Sequence, residues 1–80
     1  HREGSHREAL RCLRAGIKLE PRRAEGFYNL GLVYRQLERP DLAVKAYRAA
    51  LRRNPNLTDA VINLAGVYFE MGKIALSRIY

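Results

Sequence analysis

The chain has no tryptophan, one methionine, one cysteine and three prolines in 80 residues. A single cysteine excludes an internal disulfide, so no covalent cross-link can hold so short a fold. Apolar runs are only a few residues long, which excludes a bilayer-spanning helix and any membrane partner that needs one. The opening His1-Arg2-Glu3-Gly4-Ser5-His6 has no apolar stretch of the kind a secretory leader carries. A lone thiol without a leader suits a reducing compartment, so an intracellular, cytoplasmic setting is expected. The spacings of catalysis are missing too. There is no Cys-x-x-Cys, no His-x-x-x-His and no glycine-rich phosphate loop, and His1 and His6 have no carboxylate or thiol at helical spacing. No enzyme activity, metal or cofactor is expected.

Acid is also scarce. Eight Asp and Glu face fifteen Lys and Arg, giving a net charge of +7. An excess of that sign favours acidic partners or anionic surfaces, provided the fold gathers it into a patch. Apolar content of 48% against 29% charged residues is that of an ordinary folded chain.

What the sequence does have is a period. Shifted by 34 residues, Asn29 falls on Asn63, Leu30 on Leu64, Tyr34 on Tyr68, Ala9 on Ala43 and Pro21 on Pro55. A fixed period in the thirties marks a stacked repeat array. Three segments follow: residues 1–23 as the second half of a unit, 24–57 as a complete unit, and 58–80 as a partial one.

Within the complete unit, Phe27, Leu30, Tyr34 and Leu37 fall at 3-4-3 spacing, one face of a helix. Pro40 fits the first turn of a second helix, over residues 40–53, with Leu42, Ala43, Ala46, Tyr47, Ala50 and Leu51 inward. The two-residue link Glu38-Arg39 makes the pair antiparallel. Gly31, Ala43 and Ala50 are small where two backbones must come close; bulk there would overpack the pair by roughly 1–3 kcal/mol. Cys12 shares the register of Ala46, so a buried, inert thiol is expected. Thr58 is expected to cap a helix over residues 59–71. Gly4-Ser5 and Gly72 fall at turn registers, with His6–Leu19 a helix after the first and Lys73–Tyr80 starting another after the second. Ile74, Leu76, Ile79 and Tyr80 would leave apolar surface for a continuation or a second copy to cover.

Phe27-x-x-Leu30-Gly31-x-x-Tyr34, Ala43-x-x-x-Tyr47 and Pro55 together resemble the tetratricopeptide repeat. Val61-x-x-Leu64-Ala65-x-x-Tyr68 and Ala9-x-x-x-Leu13 with Pro21 repeat parts of it. The resemblance implies an all-α solenoid of antiparallel helix pairs, a fragment of a right-handed superhelix. Its concave wall would be lined by the first helix of each unit, and its role would be to bind a protein or peptide. The family usually has glycine at the turn between the two helices, where the middle unit has Glu38.

On that fold the groove-facing residues would be Glu25, Tyr28, Asn29, Leu32 and Gln36, then Asp59, Ile62, Asn63, Gly66, Phe69 and Glu70. Asn29 and Asn63 recur at one position, and an amide both donates and accepts, as an extended peptide backbone requires. Such a ladder is similar to the peptide-binding lining of the repeats in O-GlcNAc transferases. The plainer reading gives these asparagines contacts within the array. A carboxylate clamp of the chaperone-tail type is disfavoured, because its cationic positions hold Tyr28, Leu32, Glu25, Ile62, Gly66 and Asp59.

The basic residues have a register of their own. Arg11, Arg14 and Lys18 recur as Lys45, Arg48 and Arg52, each triplet on one helix side. Stacking would make them a ridge on the convex wall, extended by Arg22, Arg23 and Arg53. The bland reading is a solvated outer face; the sharper one is a dock for an acidic partner. No aromatics interleave there to stack bases, which argues against nucleic acid.

Overall fold

The computed structural model describes residues 3–79, and side chains from Ser5 to Lys73. Four α-helices make it up: α1 Glu3–Leu19, α2 Ala24–Gln36, α3 Pro40–Arg53 and α4 Thr58–Ile79. There is no strand among the described residues. Each helix packs on the next: α1 on α2, α2 on α3, α3 on α4. The Cα envelope measures 46 × 33 × 14 Å. Its thin dimension is what two helix layers about 10 Å apart occupy.

The α2–α3 pair is the centre, and small residues make it. Ala43 and Ala50 are fully buried, Ala46 and Ala49 nearly so, and Tyr47 is fully buried with them. Gly31, on the facing side of α2, is buried too. A Cβ placed on Gly31 would lie 2.5 Å from Cε1 and 2.7 Å from Cδ1 of the Tyr47 ring. The aromatic ring therefore occupies the space a side chain on Gly31 would need. Ala43, Tyr47 and Val67 form one core cluster, and Ala24, Ala50 and Ala60 form another. Tyr28 packs against both, its ring 5.8 Å from that of Tyr47. The Tyr47 hydroxyl is buried without a hydrogen-bond partner. Burial holds its pKa above the usual tyrosine range, and the nearby Arg35 charge offsets part of that.

Four sequence expectations are corrected. Gly4 and Ser5 lie within α1, which starts at Glu3, rather than forming a turn. Gly72 is likewise helical: α4 runs unbroken for 22 residues instead of stopping at Met71. A mid-helix glycine costs about 1 kcal/mol, whereas a break there would forfeit several i→i−4 hydrogen bonds. Thr58 does not stand before α4 as its cap. It is the helix's first residue, and its hydroxyl donates to the Asn56 carbonyl at 3.4 Å. Cys12, finally, is exposed. α3 packs against both α2 and α4, which leaves Ala46 covered, whereas α1 packs mainly on α2. The side chains of Ile74, Leu76, Ile79 and Tyr80 lie outside the described residues.

The link between α2 and α3 keeps the turn that glycine would ordinarily make. Glu38 sits at φ 59, in the left-handed region. Its N–H bonds to the Arg35 carbonyl at 3.0 Å, and that of Arg39 to the Tyr34 carbonyl at 2.9 Å. This 5→2 and 6→1 pair is the Schellman motif, which satisfies the last carbonyls of α2. A left-handed non-glycine residue costs about 1–2 kcal/mol, part of which glycine returns as unfolded-state entropy. Glu38→Gly should therefore raise stability by about 0.5–1 kcal/mol, or a few degrees in thermal midpoint. An unchanged or lower midpoint by circular dichroism would show that the turn is not strained.

Candidate functional site

The residues assigned to a groove lie on α2 and α4, and one polar network joins the two helices. Asn63, one turn into α4, donates through Nδ2 to the Asp59 carbonyl at 2.8 Å and to the Tyr28 hydroxyl at 3.2 Å. Its Oδ1 accepts from Arg35 Nη1 at 3.0 Å. Arg35 Nη2 is 3.6 Å from Glu70 Oε2. Gly66 lies between these two along α4, and a Cβ on it would come 3.0 Å from Arg35 Nη2. The missing side chain at Gly66 is thus the seat of the guanidinium. The planar fork of arginine suits this role, because two of its N–H groups can reach partners a turn apart.

The remaining groove residues differ in state. Leu32 is half-buried in the core cluster around Tyr47. Gln36 bonds to His6 Nε2 at 3.1 Å, joining α2 to α1. Glu25 lies 3.6 Å from Arg23 Nε. Asn29 is exposed and makes no side-chain hydrogen bond among the described residues. Ile62 and Phe69, two turns apart on α4, are 62% and 70% exposed, a large share for residues so apolar. Beside the network, a hollow of about 400 Å³ opens between Arg35, Glu38 and Pro40 on one side and Val67, Glu70 and Met71 on the other.

Arg35 was not among the residues picked from the sequence. Its register mate is Phe69, so the 34-residue comparison hides it. It is, however, the single cation in α2, and Asn63, Gly66 and Glu70 stand at the 3-4 spacing that one guanidinium can span.

Arg11, Arg14, Lys18, Lys45, Arg48 and Arg52 are all exposed. None forms an ion pair among the described residues. Arg14 donates to the Tyr34 hydroxyl at 2.9 Å. Two of the residues thought to extend the ridge have structural duties instead. Arg53 stacks 4.0 Å over the Phe27 ring and donates to the Pro21 carbonyl at 2.7 Å, fastening the α1–α2 link to α3. Arg23 pairs with Glu20 and Glu25. Among the described residues no three His, Cys, Asp or Glu converge as metal ligands, and no helix is long and apolar enough to cross a membrane.

Helix pairs packed through small residues, joined by a tight turn and repeated every 34 residues, define a class of interaction modules. Residues 24–57 match the family model of the tetratricopeptide repeat and form one repeat of that family. It is 32% identical over 76 residues to the Photosystem I assembly protein Ycf3 of Synechococcus sp., covering 91% of this chain and 44% of that protein. It is 35% identical over 69 residues to Protein bimA of Emericella nidulans, covering 86% of this chain and 9% of that one. Against the human NatB auxiliary subunit, N-alpha-acetyltransferase 25, identity is 31% over 72 residues, covering 90% of this chain and 7% of that subunit. The chain therefore spans less than half the length of each of these relatives.

The two asparagines should separate on mutation. Asn63→Ala leaves the Tyr28 hydroxyl and one arm of Arg35 without partners in a half-buried place, at a cost of about 1–2 kcal/mol. Asn29→Ala removes an exposed amide and should stay within about 0.5 kcal/mol of the parent. Urea midpoints for the two variants check this; equal midpoints would mean the network contributes nothing.

Proposed function

We propose that the chain is a protein-interaction scaffold whose α2–α4 wall binds a peptide segment of a partner protein. The observation that carries this reading is the exposure of Ile62 and Phe69 on α4 together with that of Asn29 on α2. Exposed apolar side chains and a free amide suit an extended segment: the side chains supply buried area and the amide fixes backbone register. Tyr28 and Leu32 form the floor, already immobilised by the core, so they lose little entropy when a ligand covers them. Asn63 would act through its network, holding Arg35 and Tyr28 in place for the ligand. The names of the relatives fit such a role, since one is an assembly protein and another an auxiliary subunit.

A second reading rests on the six exposed cations of α1 and α3 that form no ion pair among the described residues. They leave an acidic protein surface as an alternative partner, held by long-range attraction. The two readings respond differently to salt, because exposed charge pairs are screened within about 10 Å at 0.1 M ionic strength.

Selection of binders from a random linear-peptide library, followed by titration of the best sequence, tests both. Groove binding predicts that Asn29→Ala combined with Phe69→Ala weakens binding by about 10-fold or more, near 1.4 kcal/mol, with a shallow salt response. The charge reversal Arg48→Glu with Arg52→Glu should leave it unchanged. Loss on charge reversal with a steep salt dependence would replace the groove by the basic face. Binders indifferent to both pairs would remove both readings.

A further inference from the structure

The Arg35 guanidinium lines the hollow at the junction of α4 with the α2–α3 pair, and it is held there more firmly than it is paired. Nη1 donates to Asn63 Oδ1 at 3.0 Å, and the gap at Gly66 seats Nη2. Its ionic partner is looser. Nη2 lies 3.6 Å from Glu70 Oε2, longer than the roughly 2.7–2.9 Å of a charge-assisted hydrogen bond. The Glu70 side chain is 59% exposed against 33% for Arg35. Solvated pairs of this kind hold weakly.

Pro40, Val67 and Met71 give the hollow an apolar lining, and Val67 is 1% exposed. Its charged lining is balanced, Arg35 and Lys73 against Glu38 and Glu70. Lys73 reaches over the Phe69 ring, 5.8 Å from its centroid, and Glu38 is exposed. With the four charges cancelling, the ligand is chosen by the one that its neighbours hold in place, which is Arg35.

We propose that Arg35 selects an acidic side chain from the partner's peptide, and that Glu70 stands in for that side chain in the free protein. The ligand carboxylate accepts from the guanidinium fork at direct hydrogen-bond distance and displaces Glu70, and an aliphatic neighbour enters the hollow against Val67 and Met71. The planar fork matches the two oxygens of a carboxylate. A cationic side chain would instead meet the fixed charge of Arg35. The net charge of +7 draws acidic peptides toward the chain at long range. This rests on the groove reading and adds the chemical class of its ligand.

The probe is acetyl-Leu-Glu-Leu amide, whose only charge is its side chain, titrated into the 80-residue chain and followed by NMR. The Arg35 Nε–H and Gly66 N–H resonances should shift saturably, with a Kd of about 1–10 mM for so small a ligand. Acetyl-Leu-Gln-Leu amide should bind about 10-fold more weakly or not at all. Glu70→Gln should tighten binding of the Glu tripeptide about 2–5-fold by removing the competitor. Glu8→Gln makes the same change in net charge at an exposed site on α1 and should leave binding unchanged. Arg35→Gln should abolish the shifts. Should that variant fail to fold, the comparison of Glu70→Gln with Glu8→Gln decides. Equal binding of the two tripeptides, shifts centred on the cations of α1 and α3, or equal effects of the two glutamate variants would each overturn the proposal. The groove itself is tested apart, through Asn29 and Phe69. A library peptide that depends on those two residues, while the Glu tripeptide fails here, would remove the acidic selection and leave the groove.

Discussion

The structure depends on how closely α2 and α3 approach, and that approach rests on the Tyr47 ring lying against the bare backbone of Gly31. The ring fills the space in which a side chain would stand, and Ala43 and Ala50 carry the contact along the rest of α3. With large residues at these places the helices would stand apart and Val67 and Ala60 of α4 would lose their seat. The Tyr47 hydroxyl is buried near the Arg35 guanidinium. A chain of 80 residues has little burial in reserve, which makes one tight contact weigh heavily.

That close pair fixes where everything else points. It turns α2 and α4 into neighbours whose polar side chains meet across Gly66, and the Arg35–Asn63–Tyr28 network then sets their spacing. Outside, exposed arginines and lysines cover α1 and α3. The helices therefore differ in what they expose: cations on α1 and α3, and Asn29, Ile62 and Phe69 on α2 and α4. Surface ion pairs contribute little to stability, so the exposed cations of α1 and α3 add little to the fold.

The helical-pair fold was legible because it follows from spacing. Phe27, Leu30, Tyr34 and Leu37 on α2, the small residues of α3 and the 34-residue shift all state it locally. What was not legible depended on neighbours. Cys12 shares a register with Ala46, but register does not say how many helices flank each one. Gly4 and Gly72 look like turns and are helical, while Glu38, in the link where the family usually has glycine, makes the turn with φ 59. Glycine permits a left-handed residue without requiring it, and the backbone of Glu38 is held there by two carbonyls of α2 that need donors. In the candidate site, periodicity picked out Tyr28, Asn63, Gly66 and Glu70. It missed Arg35, whose role comes from two helices meeting rather than from either one.

The most direct measurement of the close approach is a double-mutant cycle on Gly31 and Tyr47. Alone, Gly31→Ala gains about 1 kcal/mol in helix propensity and loses more to the ring it strikes, for a net cost of about 1–2 kcal/mol. With Tyr47→Leu in place the ring is gone, and Gly31→Ala should become neutral or stabilising, a coupling of at least about 1 kcal/mol in urea unfolding. If Gly31→Ala shifts stability by the same amount whether residue 47 is Tyr or Leu, the two helices are not held by this contact.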